Sequence, residues 1–201
     1  EERTPSHQVA YRAVLLAAGL LLFGLLFRQL VTLLLAILIT IVVAIPLAAA
    51  TPDQKERYLW PACRGERRDA YAITEEQAGS DPSMVRTTAR RDGRGWVIDG
   101  TKWHVTSGDI ADFFLVHAHV DDDPAKATVF LVDKDLPGVE LVRTPKYSHT
   151  FVFEHPIFAF DGVRVGEDRV LGDVGEGFEL TKDWFVEERI SGHLVPVDDA
   201  A

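Results

Sequence analysis

Leu30 to Ala50 is a run of 21 residues without one charged side chain, and no other feature restricts the fold of this chain so tightly. As a helix the run spans about 31 Å at 1.5 Å per residue, the thickness of a bilayer core. Ala13 to Phe27 adds 15 more uncharged residues. Arg28 and Gln29 separate the two runs, either as the turn of a helical hairpin or inside one long tilted helix. Arginine at mid-membrane depth is costly, so the hairpin, with Arg28 at an interface, is the expected form. Pro46 lies near the end of the second run, where a kink is tolerated. A secretory signal peptide cleaved near Ala48-Ala49-Ala50 is the rival reading, although the stretch is roughly two to three times the usual apolar length.

The rest of the chain is a different material. Residues 1–50 hold only Glu1, Glu2, Arg3, Arg12 and Arg28 as charges, whereas residues 51–201 carry 18 Lys+Arg against 29 Asp+Glu, a net charge of −11. Nucleic acid is excluded as a partner, because an acidic body repels phosphate backbones. Cys63 is the only cysteine, so neither a disulfide scaffold nor a cysteine-rich zinc cluster can form. A mid-helix setting is expected for Cys63, as a buried and inert thiol. The segment FRQLVTLLLAILITIVVAIPL resembles the first membrane helices of multi-span permeases such as the autoinducer-2 exporter family. Residues 13–50 are therefore expected to contact a lipid membrane, with the acidic body on the cytoplasmic side, and a membrane-anchored non-enzymatic module or permease fragment is one functional reading.

Thr51-Pro52-Asp53 opens a helix: Thr51 as N-cap, Pro52 in the first turn, Asp53 at the positive end of the dipole. That helix runs to about Cys63 and stops before Gly65. Strands are then predicted at 71–75, 85–90, 95–98, 101–106, 113–120, 127–132, 139–143 and 151–165, rich in Val, Ile, Thr and aromatics. Asp92-Gly93 and Asp99-Gly100 are two-residue hairpin signals, and Asp161-Gly162 marks a further turn. Asp121-Asp122-Asp123-Pro124 reads as a solvated turn rather than a calcium loop. Eight short strands at this spacing predict an α+β chain built on an antiparallel sandwich or barrel, preceded by one or two hydrophobic transmembrane-like helices and followed by one helix from about Gly175. The expected division is 1–50 hydrophobic, 51–68 helix and linker, 69–172 β-domain, and 173–201 helix and tail.

Several local patterns carry little chemistry. His117 and His119 share one strand face and lack a third ligand, so a packed or solvated pair is expected and no metal site is assigned. Gly172-x-x-Gly175-x-Gly177 lacks the Lys-Ser/Thr of a phosphate loop. Trp96 and Trp103 on hairpin strands fit cross-strand packing. One cluster says more. YAITEEQAGSD (71–81) ends a strand with Thr74 and passes into a Gly/Ser loop, and GTKWHVTSG (100–108) ends another with Thr106 and Ser107. Hydroxyls and backbone N–H groups at two strand ends can hold a planar, anionic cofactor, although Thr and Ser also end strands for structural reasons. Gly79 permits close backbone approach.

These two stretches, preceded by TPDQKERYLWPACRGERRDA and followed in order by VFLVDKDLPGVEL, FDGVRVGEDRVLGDVGEGFEL and EER, resemble the central part of an acyl-CoA dehydrogenase over residues 51–189. The resemblance implies FAD, held against a β-domain of the acyl-CoA dehydrogenase middle-domain type. Tyr71, Ile73 and Thr74 would border the flavin. Gly79 and Ser80 would line the flavin and its phosphates near the acyl-CoA entrance. Thr106 would hydrogen-bond at flavin N5, with Ser107 beside it. His104 stands where the family usually has the tryptophan packed on the ring; as strand neighbours, Trp103 and His104 are expected on opposite faces.

The implied reaction takes a proton from the α carbon of an acyl-CoA thioester and a hydride from the β carbon, giving a trans-2-enoyl-CoA. Glu188, immediately before Arg189, is the candidate base, as in isovaleryl- and long-chain-type members. Arg189 would help position the CoA end or the base. An electron-transfer flavoprotein is the implied acceptor, and the family's C-terminal bundle completes the FAD site and a homo-oligomer. Members are nearly twice as long as this chain, so a truncated or fused product with weak FAD binding, and one that is incomplete or inactive, is expected.

Overall fold

A computed structural model describes residues 12, 14–30, 47, 49–148 and 154–193, with residues 186–193 described by backbone alone. The chain divides into two compact units, Glu1–Ile41 and Val42–Ala201. In the first, residues 14–30 are helical (α1), and Leu15, Leu16, Leu20, Leu21, Phe23 and Leu26 are all exposed. The turn expected at Arg28-Gln29 does not form. Both residues are helical, in keeping with two good helix formers that offer no break. No helix among the described residues is long and apolar enough to cross a membrane. Residues 31–46, most of the longer apolar run, lie outside the described residues.

The second unit opens on α2, which runs continuously as Pro52–Gln54 (α), Lys55–Leu59 (π) and Trp60–Cys63 (α). Thr51 caps it in a reciprocal box: its hydroxyl accepts from Gln54 N, and Gln54 Oε1 accepts from Thr51 N. The π turn has a local cause. Pro61 has no N–H to give the carbonyl of Arg57, one helical turn earlier. That carbonyl accepts instead from Arg67 Nη1 at 3.2 Å. Cys63 departs from expectation and is exposed, because it falls in the final turn, where no residue is buried.

Eight strands follow: β1 (Asp69–Ala72), β2 (Thr88–Asp92), β3 (Gly95–Lys102), β4 (Phe113–Val120), β5 (Ala127–Asp133), β6 (Val139–Arg143), β7 (Ile157–Gly166) and β8 (Val170–Leu171). They form one sheet in the order β6-β7-β3-β2-β4-β5-β8, with β1 also on β4. The sheet is mixed rather than purely antiparallel, since β1 and β2 each run parallel to β4. The β2–β3 pair is closed by a tight hairpin whose two turn residues are Gly93 and Arg94, one position later than the Asp92-Gly93 signal, with Asp92 paired to Gly95. β1 and β4 are separated by that whole hairpin, which frees them to pair in parallel. Asp99-Gly100 is no turn; it lies inside β3. Asp161-Gly162 lies inside β7 at a bulge, where the register to β3 jumps between Ile98 and Gly100. Gly162 takes the left-handed φ of 60° that such a bulge needs, and its N–H donates to Asp99 Oδ1 at 2.8 Å.

The sheet rolls over one core, in which Phe114, Val116, Ala118 and Val120 of β4 meet Ile98, Phe158, Phe160 and Val163 of β3 and β7. Phe114 packs on Phe158 at 4.7 Å between centroids, and Trp96 meets Phe130 edge-on at 5.6 Å. A second core covers the outer face of β4 and β5. There Phe113, Leu115, Val129 and Leu131 meet Tyr58 and Leu59 of α2, with Leu180 of the last helix, α3 (Gly177–His193), packed against them. Every residue of β4 is therefore buried.

His117 and His119 share that outer face, and both are buried. Neither ring nitrogen of His117 finds a hydrogen-bond partner among the described residues. Burial, with the Lys102 charge adding to it, pushes His117 from 6.5 down to about 3. The unfolded imidazole accepts a proton that the native one refuses. Stability therefore falls as pH drops from 6.5 towards 3, by about 1.4 kcal/mol per pH unit. Replacing His117 by Leu should flatten that slope and raise the urea midpoint at pH 5.5; identical slopes in variant and wild type would contradict the assignment.

Candidate functional site

Two loops at the ends of β1 and β3 are laced together. After Ala72 the chain leaves β1, and Glu75 and Ala78 close a tight turn by exchanging N–H···O bonds of 3.0 and 3.1 Å. Strand β3 stops at Lys102, not at Thr106, because the next backbone donors are taken elsewhere. Trp103 N–H donates to Thr74 O at 2.8 Å, Val105 N–H to Pro156 O at 3.0 Å, and Ser107 N–H to Glu154 O at 3.0 Å. The diversion is bought with strain: His104 and Ser107 adopt left-handed φ values of 52° and 62°, each a cost on the order of 1–3 kcal/mol for a residue other than glycine. Strand β3 ends before Trp103 and His104, so the pleat does not send their side chains to opposite faces as expected.

The exposed side of this junction carries a hydrogen-bonded row. His104 Nδ1 lies 2.8 Å from Tyr147 Oη, and Tyr147 Oη donates to the carbonyl of His155 at 3.0 Å. With the phenol proton committed, Nδ1 of His104 is the donor to Oη. The ring of His155 reaches Thr106 Oγ1 at 3.0 Å. Thr106 and His104 are both exposed, so the row faces outward from the β-body.

Beneath the junction lies a buried ion pair. Lys102 Nζ meets Glu75 Oε1 at 2.8 Å, with side chains 0% and 4% exposed, and also donates to Ile73 O at 3.1 Å. Glu75 accepts further from Thr87 N, Thr87 Oγ1, Arg86 N and Gln77 Nε2 at 2.6–2.9 Å. Burial alone would raise the Glu75 pKa, but the Lys102 charge and these donors outweigh it and hold the carboxyl at about 2. Burial pulls Lys102 down to about 8 against the pull of Glu75. This pair binds the Thr74 loop, the end of β3 and the entry to β2 into one piece.

The other predicted residues are spread more widely. Tyr71 lies on the outer face under α3, its hydroxyl 2.7 Å from Thr181 Oγ1 and its ring stacked on Trp184 at 4.5 Å. Burial raises its phenol to about 12. Ile73 is half-buried beside the Lys102 contact. Gly79 and Ser80 are exposed, and a Cβ at Gly79 would meet no atom within 4 Å. Glu188 and Arg189 belong to α3 one turn beyond Trp184, and their side chains lie outside the described residues. Sequence reasoning missed Lys102, Tyr147, His155 and Trp184. Only Lys102 left a trace: it continues the inward register of Trp96 and Ile98 in β3, and an inward lysine requires a buried carboxylate. No group of three or more His, Cys, Asp or Glu able to hold a metal occurs among the described residues.

Lys102→Met leaves Glu75 charged and buried without its cation, and should lower the unfolding free energy by about 3–5 kcal/mol. Pairing it with Glu75→Gln should recover part of that loss. Urea denaturation of the three variants measures both effects, and a single variant as stable as wild type would refute the role given to the pair.

Residues 70–159 match the family profile "Acyl-CoA dehydrogenase, middle domain". Benzylmalonyl-CoA dehydrogenase of Aromatoleum aromaticum is 40% identical over 139 residues, which is 69% of this chain and 37% of that enzyme. The human mitochondrial very long-chain specific acyl-CoA dehydrogenase is 34% identical over 143 residues, 67% of this chain and 22% of its own length. Among solved structures, a glutaryl-CoA dehydrogenase from Mycobacterium smegmatis in complex with FADH2 superposes with a TM-score of 0.67 at 28% identity, covering 73% of this chain and 37% of that one. The chain thus spans little more than a third of the benzylmalonyl-CoA enzyme it resembles. Acyl-CoA dehydrogenases are FAD-dependent flavoproteins, and the β-body of this chain belongs to their middle-domain family.

Proposed function

We propose that this chain supplies the flavin- and thioester-facing β-domain of an acyl-CoA dehydrogenase that forms a trans-2-enoyl-CoA. The observation that supports this most is the lacing of the two loops, Trp103 N–H to Thr74 O at 2.8 Å. It sets the hydroxyl-bearing ends of β1 and β3 side by side on an exposed junction, the arrangement a planar, hydrogen-bonding ring system requires. The residues present fit FAD. Gly79 has open space at its Cα, so backbone N–H groups can approach a phosphate, and the Ser80 hydroxyl stands beside it for the same anion or the CoA entrance. Thr106, held at Oγ1 by His155, presents a hydroxyl to the ring, with Thr74, Ile73, His104 and Ser107 bordering it, while Tyr71 stays stacked on Trp184 under α3.

FAD, when bound, supplies the hydride acceptor. Glu188 takes the α-proton of the thioester, and Arg189 positions the CoA end or the base. An electron-transfer flavoprotein is the proposed acceptor of the electrons. A relative at 40% identity is named for an aryl-substituted acyl-CoA, which favours a bulky acyl group over a short linear one.

Added FAD should bind with a shift of its visible bands and quenching of its fluorescence, and Thr106→Val should weaken binding about tenfold, the worth of one hydrogen bond at roughly 1.4 kcal/mol. Glu188→Gln should leave that binding intact and abolish exchange of the α-proton with solvent. Absence of any flavin binding would defeat the reading.

A membrane contact through residues 13–50 is a second proposal. It rests on the exposed leucines and phenylalanines of α1, and extraction of the full chain from membranes by alkaline carbonate would reject it.

A further inference from the structure

The acidic β-body contains one locally cationic recess. At the end of β5, three guanidiniums converge on one carboxylate. Asp133 Oδ2 accepts from Arg57 Nη2 at 2.9 Å and Arg169 Nη1 at 2.9 Å, and Oδ1 accepts from Arg67 Nη2 at 2.8 Å. Tyr58 lies among them; its hydroxyl donates to Asp133 Oδ2 at 3.2 Å and accepts from Arg169. Arg169 has a further carboxylate in Asp168 at 3.1 Å. Arg57 and Arg67 have none besides Asp133 among the described residues. Lys134, next along the chain, donates to the carbonyls of Gly108 and Asp109 at 2.9 and 2.7 Å and pairs with no carboxylate among the described residues.

These four cations line a cavity of about 650 Å³, together with Asp133, Asp112, Asp135, Ala111 and Leu136. Asp112 is turned to the backbone, where Oδ2 accepts from Arg68 N at 2.7 Å, and Asp135 is exposed. Asp133 can neutralise only one of its three partners. The crowding is felt at Arg169, where burial first and the Arg57 charge second lower the guanidinium to about 10. Each arginine carries five N–H donors. Arg57 uses one, in a hydrogen bond to Asp133, and keeps a free fork for an acceptor with several oxygens, whereas Arg67 spends three on Asp133 and the carbonyls of Arg57 and Asp112 and keeps two single donors.

We propose that this recess is a binding site for a phosphate-type oxyanion, with Arg57, Arg67 and Lys134 as its ligands. A tetrahedral oxyanion offers oxygens at once to the free fork of Arg57 and to the donors left on Arg67 and Lys134, and it adds negative charge to a lining of four cations and three carboxylates. The cavity exceeds a single phosphate, so a diphosphate or a phosphorylated small molecule also fits. The proposal draws on no residue assigned to the flavin and does not rest on that reading.

Titration calorimetry of the full chain at fixed ionic strength tests it, using inorganic phosphate, pyrophosphate and succinate as probes. Saturable one-to-one binding is expected for phosphate, several-fold tighter for pyrophosphate, and at least tenfold weaker for succinate. Arg57→Gln leaves Asp133 with two guanidiniums, so it should fold, and it should weaken phosphate binding at least tenfold. Arg64→Gln, whose partner is the exposed Glu66, should change nothing. Non-saturable heats in the wild type overturn the proposal, as does unchanged affinity in Arg57→Gln. Succinate binding as tightly as phosphate would show a general dianion recess and overturn the phosphate assignment. Should Arg57→Gln fail to fold, the wild-type preference among the three probes still decides.

Discussion

The Glu75–Lys102 ion pair is the constraint on which the rest of the junction depends. Two opposite charges withdrawn from water are stable only if their remaining hydrogen-bonding capacity is filled. Glu75 accordingly gathers donors from three separate segments, at residues 77, 86–87 and 102. None of these can drift without stranding a charge. The loops that follow β1 and β3 therefore hold their spacing even though they face solvent, where loops are ordinarily mobile. The left-handed conformations at His104 and Ser107 belong to the same account: strain at the surface persists because a rigid base sits below it.

That base also explains how a small β-body can hold an exposed edge in place without surrounding it. The inner core of β3, β4 and β7 fixes the sheet. The bulge at Gly162 lets β7 bend across β3 without breaking the inward register that carries Trp96, Ile98 and Lys102. Beyond the ends of β1 and β3, the loops carrying Thr74 and Thr106 are then held side by side, with the His104–Tyr147–His155 row along the exposed edge.

Much of this was legible in the residues. β4 and β6 fall where their apolar and β-branched runs place them, and the Thr51 cap and the β2–β3 hairpin follow from local chemistry alone, the latter with its turn one residue later, at Gly93-Arg94. The misses share a cause, which is that a local signal was overruled by a distant partner. Asp99-Gly100 reads as a turn, yet β7 pairs across it. Thr101–Thr106 reads as one strand, yet Thr74 and Pro156 capture its later backbone donors. Cys63 reads as core, yet the last turn of α2 buries nothing. Tyr147 and His155 carried no pattern, because their role comes from long-range contact with residues 104 and 106.

Strand β4 has no solvent face at all, and this has a temporal consequence. One side is closed by β1, β2 and β3, which precede it in the chain, and by β7, which follows; the other is closed by Tyr58 and Leu59 of α2, which precede it, and by Leu180 of α3, which comes last. On the ribosome the outer surface of β4 and β5 has α2 to cover part of it from the start, but the part under Leu180 stays open until residues beyond Gly177 emerge. Until α3 docks, nascent chains display the apolar side chains that Leu180 later covers, and this is the interval in which they are most prone to stick to one another.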